Sequence, residues 1–311
     1  MMLPTLPAVL RQPLASLGSA AWTAVAGTVA AYGASKLLNS LVLGNPLVSA
    51  GRSWDWTKEI VLITGGSSGI GRAMVDAFVQ YNVRVVVLDQ HLPDAKRPFP
   101  EGVTFYAVDL TAEEHVHTVA EWVRHDVGDP TVLINNAGIT NGGKSLFELT
   151  ADEVRRVFGV NAIAPMTMVR EFVPAMAARD HGHVVTMASM ASFVVIAGNV
   201  DYSCTKASVM ALHEGLTQDL RHRYNARSVR TTYVLSTPLL GGLTETRDFN
   251  DHVLKPETVA LAVVKQVLSG CSGQIVLPRA ISWVSMIRSF PFWLQERMRD
   301  SKADTLRALA T

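Results

Sequence analysis

Cysteine and net charge are both scarce in this chain of 311 residues. Cys204 and Cys271 are its only cysteines and show no CxxC spacing, which argues against a disulfide scaffold and a structural zinc site. The 28 basic and 27 acidic residues almost cancel, so the composition predicts no broad basic surface for nucleic acid. The nine histidines do not cluster, and we expect no metal site. Hydrophobic residues make up 48%, enough for a large buried core.

A stretch of 24 residues without a charged side chain runs from Gln12 to Ser35. As a helix it would be about 36 Å long, at roughly 1.5 Å per residue, and the hydrocarbon core of a bilayer is about 30 Å thick. We therefore predict that residues 1–56 consist of a membrane anchor and a linker that runs to about Trp56. Two alternatives stay open, because alanine and glycine dominate the stretch and Arg11 precedes it: an apolar helix packed on the domain, and a targeting peptide.

Short aliphatic runs alternate with helical patterns over residues 57–280, which is typical of strand-helix-strand units. Several runs are apolar throughout, so we expect helices on both faces of the sheet. The predicted fold class is α/β, a Rossmann-type doubly wound parallel sheet of about seven strands in a single domain. The predicted strands are Ile60–Ile63, Val83–Leu88, Val103–Val108, Val132–Ile134, His183–Met187, Val229–Leu235 and Gln274–Leu277.

Three sequence signals mark helix starts. Thr111 with Glu114, and Thr150 with Glu153, have the spacing of a capping box, in which a threonine hydroxyl and a glutamate carboxylate each accept a hydrogen bond from a free backbone amide. Pro256 predicts the first turn of another helix.

The C-terminal residues 281–311 form an apolar extension in which aromatic residues and arginines flank Pro291. We expect this tail to lie in a membrane interface or, alternatively, to close over the functional site or a partner subunit. From Arg279 to Arg299 the aromatic residues are Trp283, Phe290, Phe292 and Trp293, and the arginines are Arg279, Arg288, Arg297 and Arg299.

The residues from Thr64 to Gly71 read TGGSSGIG and join a predicted strand to a predicted helix. Glycine permits a tight turn and a close approach of the backbone to a pyrophosphate, whose charge amide groups at a helix N-terminus stabilise. Asp89 ends the next strand, where a carboxylate would bind an adenosine ribose and repel a 2′-phosphate. We therefore expect a dinucleotide cofactor, NAD in preference to NADP; alternatively, Asp89 only caps its loop.

Tyr202 and Lys206 are four residues apart on a predicted helix, which places their side chains on one face. Ser189 lies at the end of the strand before that helix. An Asn-Asn-Ala-Gly sequence at 135–138 follows the preceding strand, and Asn161 lies in the helix between the two strands. The combination is far more specific than the Tyr-Lys pair alone.

Together these motifs resemble the short-chain dehydrogenase/reductase family over roughly residues 57–278. The resemblance implies one Rossmann domain with a catalytic tetrad of Asn161, Ser189, Tyr202 and Lys206. It further implies that Asn161 positions a water that relays protons from Lys206.

The resemblance also places Asp109 near the adenine and gives residues 135–138 a supporting role in the central sheet. The cofactor contacts expected from the glycine-rich loop, from Asp89 and from the resemblance are Thr64, Gly65, Ser67, Ser68, Gly69, Ile70, Gly71, Asp89, Asp109, Leu110, Asn136, Ala137, Gly138, Tyr202, Lys206 and Thr237.

Hydride transfer between an alcohol carbon and nicotinamide requires a proton to leave or join the oxygen. A phenol with a pKa near 10 does this poorly at pH 7. We expect Lys206 and the nicotinamide charge to lower the pKa of Tyr202 by about three units, which requires about 4 kcal/mol of phenolate stabilisation. Ser189 would donate a hydrogen bond to the substrate oxygen.

The apolar termini most resemble the membrane-associated retinol and hydroxysteroid dehydrogenase branch of the family. That branch implies a small lipophilic substrate and a location at the endoplasmic reticulum or lipid droplets with the catalytic domain facing the cytosol; a cytoplasmic location is the alternative. The family resemblance alone implies a homo-oligomer.

One departure from the family pattern lies after the sixth strand, where the usual Pro-Gly before Thr237 is absent. We expect residues 239–254 to form a lid over the substrate or, alternatively, a plain surface loop. The alternative functions are an NADPH-dependent ketoreductase that tailors a polyketide or terpenoid, and a non-catalytic NAD-binding scaffold.

Overall fold

A computed structural model describes residues 19–45, 54–236 and 254–301 of the chain. The chain divides into two compact units, residues 1–48 and 49–311. The first contains helix α1, Ser19–Val42, which covers part of the predicted anchor at Gln12–Ser35; residues 12–18 lie outside the described residues. No helix of the described ranges is long and apolar enough to cross a membrane, so the predicted transmembrane helix is not supported.

The second unit is built on seven parallel strands in the order β3-β2-β1-β4-β5-β6-β7. The strands are β1 Ile60–Thr64, β2 Arg84–Asp89, β3 Val103–Ala107, β4 Val132–Asn135, β5 Gly182–Met187, β6 Val229–Ser236 and β7 Gly273–Leu277. The helices are α2 Gly69–Val79, α3 Glu113–Asp126, α4 Ala151–Phe158, α5 Ala164–Arg179, α6 Val200–His222, α7 Pro256–Leu268 and α8 Phe292–Asp300. A π turn, Gly159–Ile163, joins α4 to α5, and 3₁₀ segments cover Met190–Ser192 and Arg279–Ser289.

Helices cover both faces of the sheet, as the apolar strands predict. Along the fully buried β1, Val61 and Ile63 pack with α2 and α7, whereas Ile60 and Leu62 pack on the opposite face with α3 and α5. Each side of a strand is therefore removed from water, which explains why these strands are apolar at every position and not at alternate ones. The fold class is confirmed, and every predicted strand lies within one residue of the observed one at each end.

The predicted helix starts have different outcomes. Thr150 caps α4 with both hydrogen bonds of a capping box to Glu153, and α7 begins at Pro256, so these two predictions are confirmed. The prediction at Thr111 is wrong: α3 begins at Glu113 and its first turn takes no side-chain cap from the described residues. The Thr111 hydroxyl and backbone amide bond the Asp109 carboxylate instead, because that acceptor lies two residues away.

The strand order places the carboxyl ends of β1 and β4 side by side, with β2 and β3 on one side and β5 to β7 on the other. The chain reverses its winding direction between β1 and β4. In an open α/β sheet, a crevice opens at such a switch point beyond the carboxyl ends of the strands. The loops that follow β1 and β4 carry the glycine-rich and Asn-Asn-Ala-Gly sequences, so the fold brings the two motifs together.

Two histidines are buried beside β6. His183, which is inaccessible to solvent, lies 2.9 Å from the Thr232 hydroxyl, and burial lowers its pKa to about 3, with smaller contributions from nearby positive charge. Burial also lowers the pKa of His213 to about 4. Both rings are therefore neutral in the folded protein at pH 7.

These histidines predict loss of stability in acid. Below about pH 6.5 these two histidines become protonated in the unfolded chain but stay neutral in the folded chain. Each therefore lowers the free energy of unfolding by about 1.4 kcal/mol per pH unit, until the pH reaches its folded-state pKa. Urea unfolding from pH 7.5 to 4.5 measures the slope. His183→Gln should reduce the slope by about one proton, whereas the exposed His222→Gln should leave it unchanged; equal slopes in both variants would contradict the prediction.

Candidate functional site

The loop between β1 and α2 approaches the loop after β4 closely. Gly65 has a φ of +67°, a conformation that glycine adopts without strain. A Cβ atom at Gly71 would lie 2.0 Å from the Gly65 carbonyl oxygen and 2.7 Å from the Asn136 side-chain nitrogen. Backbone fills the space where a side chain would be, and glycine is required at both positions.

Hydrogen bonds fasten the two loops together. The Asn136 side chain donates to the carbonyl oxygens of Thr64 (2.9 Å) and Gly65 (3.0 Å). In return, the Thr64 hydroxyl accepts from the backbone amides of Asn136 (3.0 Å) and Ala137 (3.1 Å). Asn136 and Thr64 thus fix the two loops on each other.

A cavity of about 800 Å³ opens above these loops, within the range of about 300–1,000 Å³ of small-molecule and cofactor sites. Ten of the predicted cofactor residues line it: Gly65, Ser68, Gly69, Ile70, Asp89, Asp109, Leu110, Asn136, Ala137 and Gly138. Thr64, Ser67 and Gly71 contact these lining residues and support the wall of the cavity. Thr237 and most of the predicted lid lie outside the described residues.

The structure fits a dinucleotide on two grounds. The glycines leave room for a ligand to approach the backbone. The first turn of α2 takes no capping bond from the Ser68 side chain, and its residues Gly69 and Ile70 line the cavity. No group of three His, Cys, Asp or Glu side chains within the described residues is placed to hold a metal ion.

Seven lining residues were missed by the sequence analysis: Gln90, His91, Val108, Thr111, Ile139, Arg156 and Val160. The first five are direct neighbours of predicted residues and could have been found by extending each motif by one or two positions. Arg156 and Val160 come from α4 and the π turn, where nothing in the local sequence marks a ligand contact; only the tertiary fold brings them to the cavity.

Asp89 is held at the rim of the cavity by two backbone amides. One carboxylate oxygen accepts from Ser67 (2.9 Å) and the other from His91 (3.0 Å). The alternative role, capping of the loop, is therefore observed. A carboxylate has about four acceptor positions, so two of them remain for a ribose hydroxyl.

Asp109 is fixed in a similar way by the residue two positions later. The backbone amide and the hydroxyl of Thr111 donate to one carboxylate oxygen at 2.9 and 2.7 Å, and these bonds lower the pKa of Asp109. The carboxylate is therefore charged at neutral pH, at the side of the cavity where the resemblance places the adenine.

Ser189, Tyr202 and Lys206 meet beyond the carboxyl end of β5. The Ser189 hydroxyl is buried, accepts a hydrogen bond from the Ala191 amide (3.2 Å) and donates to the Ser236 carbonyl oxygen (3.2 Å). Lys206 is buried one turn after Tyr202 on α6, with its amine 5.5 Å from the centre of the tyrosine ring. The same amine donates to the Met187 carbonyl oxygen at 2.8 Å.

Burial governs the acidity of both groups on α6. It raises the pKa of Tyr202, and a hydrogen bond with the Ser189 side chain acts in the opposite direction. Burial lowers the pKa of Lys206 to about 8. The direction for Tyr202 differs from the expected lowering, because desolvation penalises a phenolate and the Lys206 amine is directed at a carbonyl oxygen and not at the phenol.

Asn161 lies in the π turn, where one extra residue per turn displaces side chains from the regular helical positions. Its side-chain oxygen accepts from the Ile139 amide (2.8 Å), and its nitrogen donates to the Ile139 carbonyl (2.8 Å) and the Thr205 hydroxyl (3.2 Å). A methyl group at Gly138 would lie 3.5 Å from the Asn161 oxygen and 3.6 Å from the Lys206 amine. The four predicted tetrad residues therefore form one cluster beside a residue that lines the cavity.

A model of the short chain dehydrogenase family matches residues 59–248, well over half of the chain. The chain belongs to this family. It is an NAD(P)-dependent short-chain dehydrogenase/reductase, an oxidoreductase whose Rossmann fold binds a nicotinamide dinucleotide, which agrees with the glycine-rich loop and the cavity described above.

Relatives of this short-chain dehydrogenase include steroid and retinol dehydrogenases. Dehydrogenase RED2 of Cochliobolus heterostrophus is 40% identical over 216 residues, which cover 68% of this chain and 80% of the relative. Estradiol 17-beta-dehydrogenase 11 of Rattus norvegicus is 30% identical, covering 75% and 80%. Epidermal retinol dehydrogenase 2 of Homo sapiens is 29% identical, covering 75% and 78%. In fold, the chain is similar to a short-chain dehydrogenase from Streptomyces avermitilis, with a TM-score of 0.65 and 24% identity over 78% of this chain and 97% of that one.

The close approach at Gly71 predicts that alanine there disrupts the dehydrogenase's cofactor loop. Gly71→Ala should destabilise the protein by about 1–3 kcal/mol and weaken dinucleotide binding at least tenfold, because the methyl group displaces backbone. Gly215→Ala is the matched control: this helical glycine has open space around it, and alanine should stabilise α6 by about 0.5–1 kcal/mol. Thermal unfolding and a titration with NADH fluorescence measure both effects; wild-type binding by Gly71→Ala would contradict the prediction.

Proposed function

We propose that this short-chain dehydrogenase interconverts a lipophilic primary or secondary alcohol and its carbonyl compound, with NAD as the preferred cofactor and Tyr202 as the acid/base. The observation that carries the proposal is the cluster of Ser189, Tyr202 and Lys206 beside Gly138, a residue of the dinucleotide cavity. A proton donor, a hydrogen-bond donor and a cation at the edge of a cofactor cavity are the groups that alcohol oxidation requires.

A nicotinamide dinucleotide held by the cavity residues would supply the hydride acceptor for oxidation and the hydride donor for reduction. In oxidation, the Tyr202 phenolate takes the hydroxyl proton of the alcohol, and the electron pair of that O–H bond forms the second carbon–oxygen bond as the hydride leaves the carbon. Ser189 orients the alcohol oxygen by exchanging its hydrogen bond with the Ser236 carbonyl for one to the substrate. Reduction is the reverse, with Tyr202 donating the proton.

Lys206 stabilises the Tyr202 phenolate by its charge. With a pKa of about 8 the amine is mostly protonated at neutral pH, and its burial reduces the screening of that charge by water. Because burial raises the pKa of Tyr202, ionisation of the phenol depends on cationic groups nearby, and the Lys206 amine lies 5.5 Å from the centre of the ring. Asn161, which ties the Ile139 loop to α6, is proposed to hold Lys206 within the proton path.

An apolar layer of buried and half-buried side chains packs beside Ser189. Met190 and Phe193 on the turn after Ser189 pack with Val209 of α6 and with Ile281 and Val284 of the C-terminal segment. The names of two relatives, an estradiol dehydrogenase and a retinol dehydrogenase, support a steroid, retinoid or fatty alcohol.

Location and assembly are part of the same proposal. A lipophilic alcohol dissolves in membranes, so we place the enzyme at the endoplasmic reticulum or lipid droplets with its catalytic domain in the cytosol. We also propose the boundaries 1–56, 57–280 and 281–311 for the N-terminal segment, the catalytic domain and the tail, and a homo-oligomeric assembly, as in much of the family.

Tyr202→Phe tests the chemistry. Loss of the phenol hydroxyl should reduce kcat at least a hundredfold, because a positioned acid/base contributes about 10²–10⁴ and no other phenol of the described residues lies in the cluster. The Kd of NAD should stay within about twofold. The control is Tyr224→Phe, an exposed tyrosine beyond the same helix, which should keep wild-type activity.

The substrate panel for this test contains retinoid, steroid and aliphatic alcohols and their carbonyl compounds, each with both cofactors. Turnover by Tyr202→Phe close to that of the wild type would overturn the acid/base role. If the enzyme turned over only polar ketones, and only with NADPH, the alternative function of a tailoring ketoreductase would be supported in place of this proposal.

Asp89 should decide the choice of cofactor. We expect the wild-type enzyme to bind NAD at least tenfold more tightly than NADP, and Asp89→Asn to reduce that ratio by removing the charge that repels a 2′-phosphate. Asp94→Asn, in the same loop and exposed, should leave the ratio unchanged. The ratio of the two Kd values is the informative quantity, because loss of the hydrogen bond from Ser67 weakens the binding of both cofactors equally. Tighter binding of NADP by the wild type would show the proposal for Asp89 to be wrong.

A further inference from the structure

The segment Arg279–Ser289 has three residues per turn, so residues three apart form columns along it. One column consists of Ile281, Val284 and Ile287. The first two pack against the apolar cluster that contains Met190 and Leu235, and Ile287 is fully buried. This column attaches the segment to the domain, next to the turn that carries Ser189.

A second column faces solvent although it is apolar. Trp283 is 45% exposed and Met286 is 55% exposed. After Pro291, helix α8 begins with Phe292 and Trp293, which are 73% and 67% exposed. Large exposed aromatic side chains close together in a sequence mark a surface that binds something apolar. We call these four residues the aromatic face.

The third column holds the segment in place by hydrogen bonds. The Arg288 guanidinium donates to the Ser192 carbonyl oxygen at 2.9 Å and, more weakly, to that of Phe193 at 3.5 Å. Trp283 and Met286 of the aromatic face are therefore carried by a segment that the first column and Arg288 fix to the domain.

Positive charge accompanies the aromatic face. Arg279 and Arg297 are exposed and form no ion pair with the described residues, whereas Glu296 is paired with Arg299. Residues 279–300 contain four arginines against two carboxylates. A second copy of the chain would bring the same arginines to a shared interface, where like charges repel.

We propose that the aromatic face, flanked by Arg279 and Arg297, binds the surface of an anionic lipid bilayer. Tryptophan and phenylalanine lie in the interfacial region of a bilayer, and arginines are attracted by anionic headgroups. The inference deepens the proposed membrane location by naming the surface, and it does not depend on which alcohol is the substrate. Its consequence is that the bilayer lies beside the apolar layer next to Ser189.

Binding of the purified full-length protein to vesicles tests the proposal without an activity assay. We expect binding to phosphatidylcholine vesicles that contain phosphatidylserine and at least tenfold weaker binding to vesicles of phosphatidylcholine alone. Trp283→Ser with Trp293→Ser should weaken binding to the anionic vesicles at least tenfold, because two apolar anchors are lost. Separately, Arg279→Gln with Arg297→Gln should weaken it about 25-fold, since one arginine near such a surface contributes roughly fivefold. Trp122→Ser is the control, because this tryptophan is 50% exposed on α3, and it should bind like the wild type.

Quenching of tryptophan fluorescence by brominated lipids separates the aromatic face from any contribution of the N-terminal segment. Trp283→Phe with Trp293→Phe keeps the face apolar and should remove most of the quenchable fluorescence, whereas Trp122→Phe should not. An unchanged Kd for NAD shows that each variant is folded. Failure of the wild type to bind anionic vesicles, equal binding to neutral ones, or undiminished quenching in the double phenylalanine variant would each overturn the proposal.

Discussion

The contact between the loops after β1 and β4 determines where this dehydrogenase can bind a cofactor. Asn136 and Thr64 exchange hydrogen bonds across the point at which the sheet reverses its winding, and Gly71 allows the Gly65 backbone to lie where a side chain would otherwise be. Every wall of the cavity is positioned relative to this contact, because α2, the Asp89 rim and the Gly138 edge all continue from the two loops. Steric fit between backbones, more than any charge, therefore defines the site.

The polar groups around the cavity are already bonded within the protein before they meet a ligand. Asp89 is bonded to two backbone amides, Asp109 to Thr111, and Asn161 to Ile139 and Thr205. Such bonds fix each side chain in one position, which reduces the entropy lost when a cofactor binds. As a result, a single residue such as Asp89 both holds a loop in place and offers a hydrogen-bond acceptor to a ligand.

The sequence predicted the fold well, because strands such as β1 are buried on both faces and so leave an uninterrupted apolar run. It also predicted most of the residues that line the cavity, since glycines and acidic residues just after parallel strands are typical of a dinucleotide site. Prediction failed in two ways. Locally, Thr111 has the spacing of a helix cap, yet its hydroxyl donates to Asp109, two residues away, and makes no capping bond to α3. In the tertiary fold, Arg156 reaches the cavity from a helix whose sequence carries no signal. Trp283 and Met286 share an exposed column because the C-terminal segment has three residues per turn, a period that the sequence alone does not reveal.

The Arg288 bond to Ser192 has a consequence for the order of synthesis. The glycine-rich loop, Ser189, Tyr202 and Lys206 all leave the ribosome well before Arg288, which lies 82 residues after Lys206. The turn after Ser189 therefore gains this hydrogen-bond donor only after the rest of the site has been synthesised. A chain that ends early would retain every recognisable motif of the family and still lack the arginine that holds this turn.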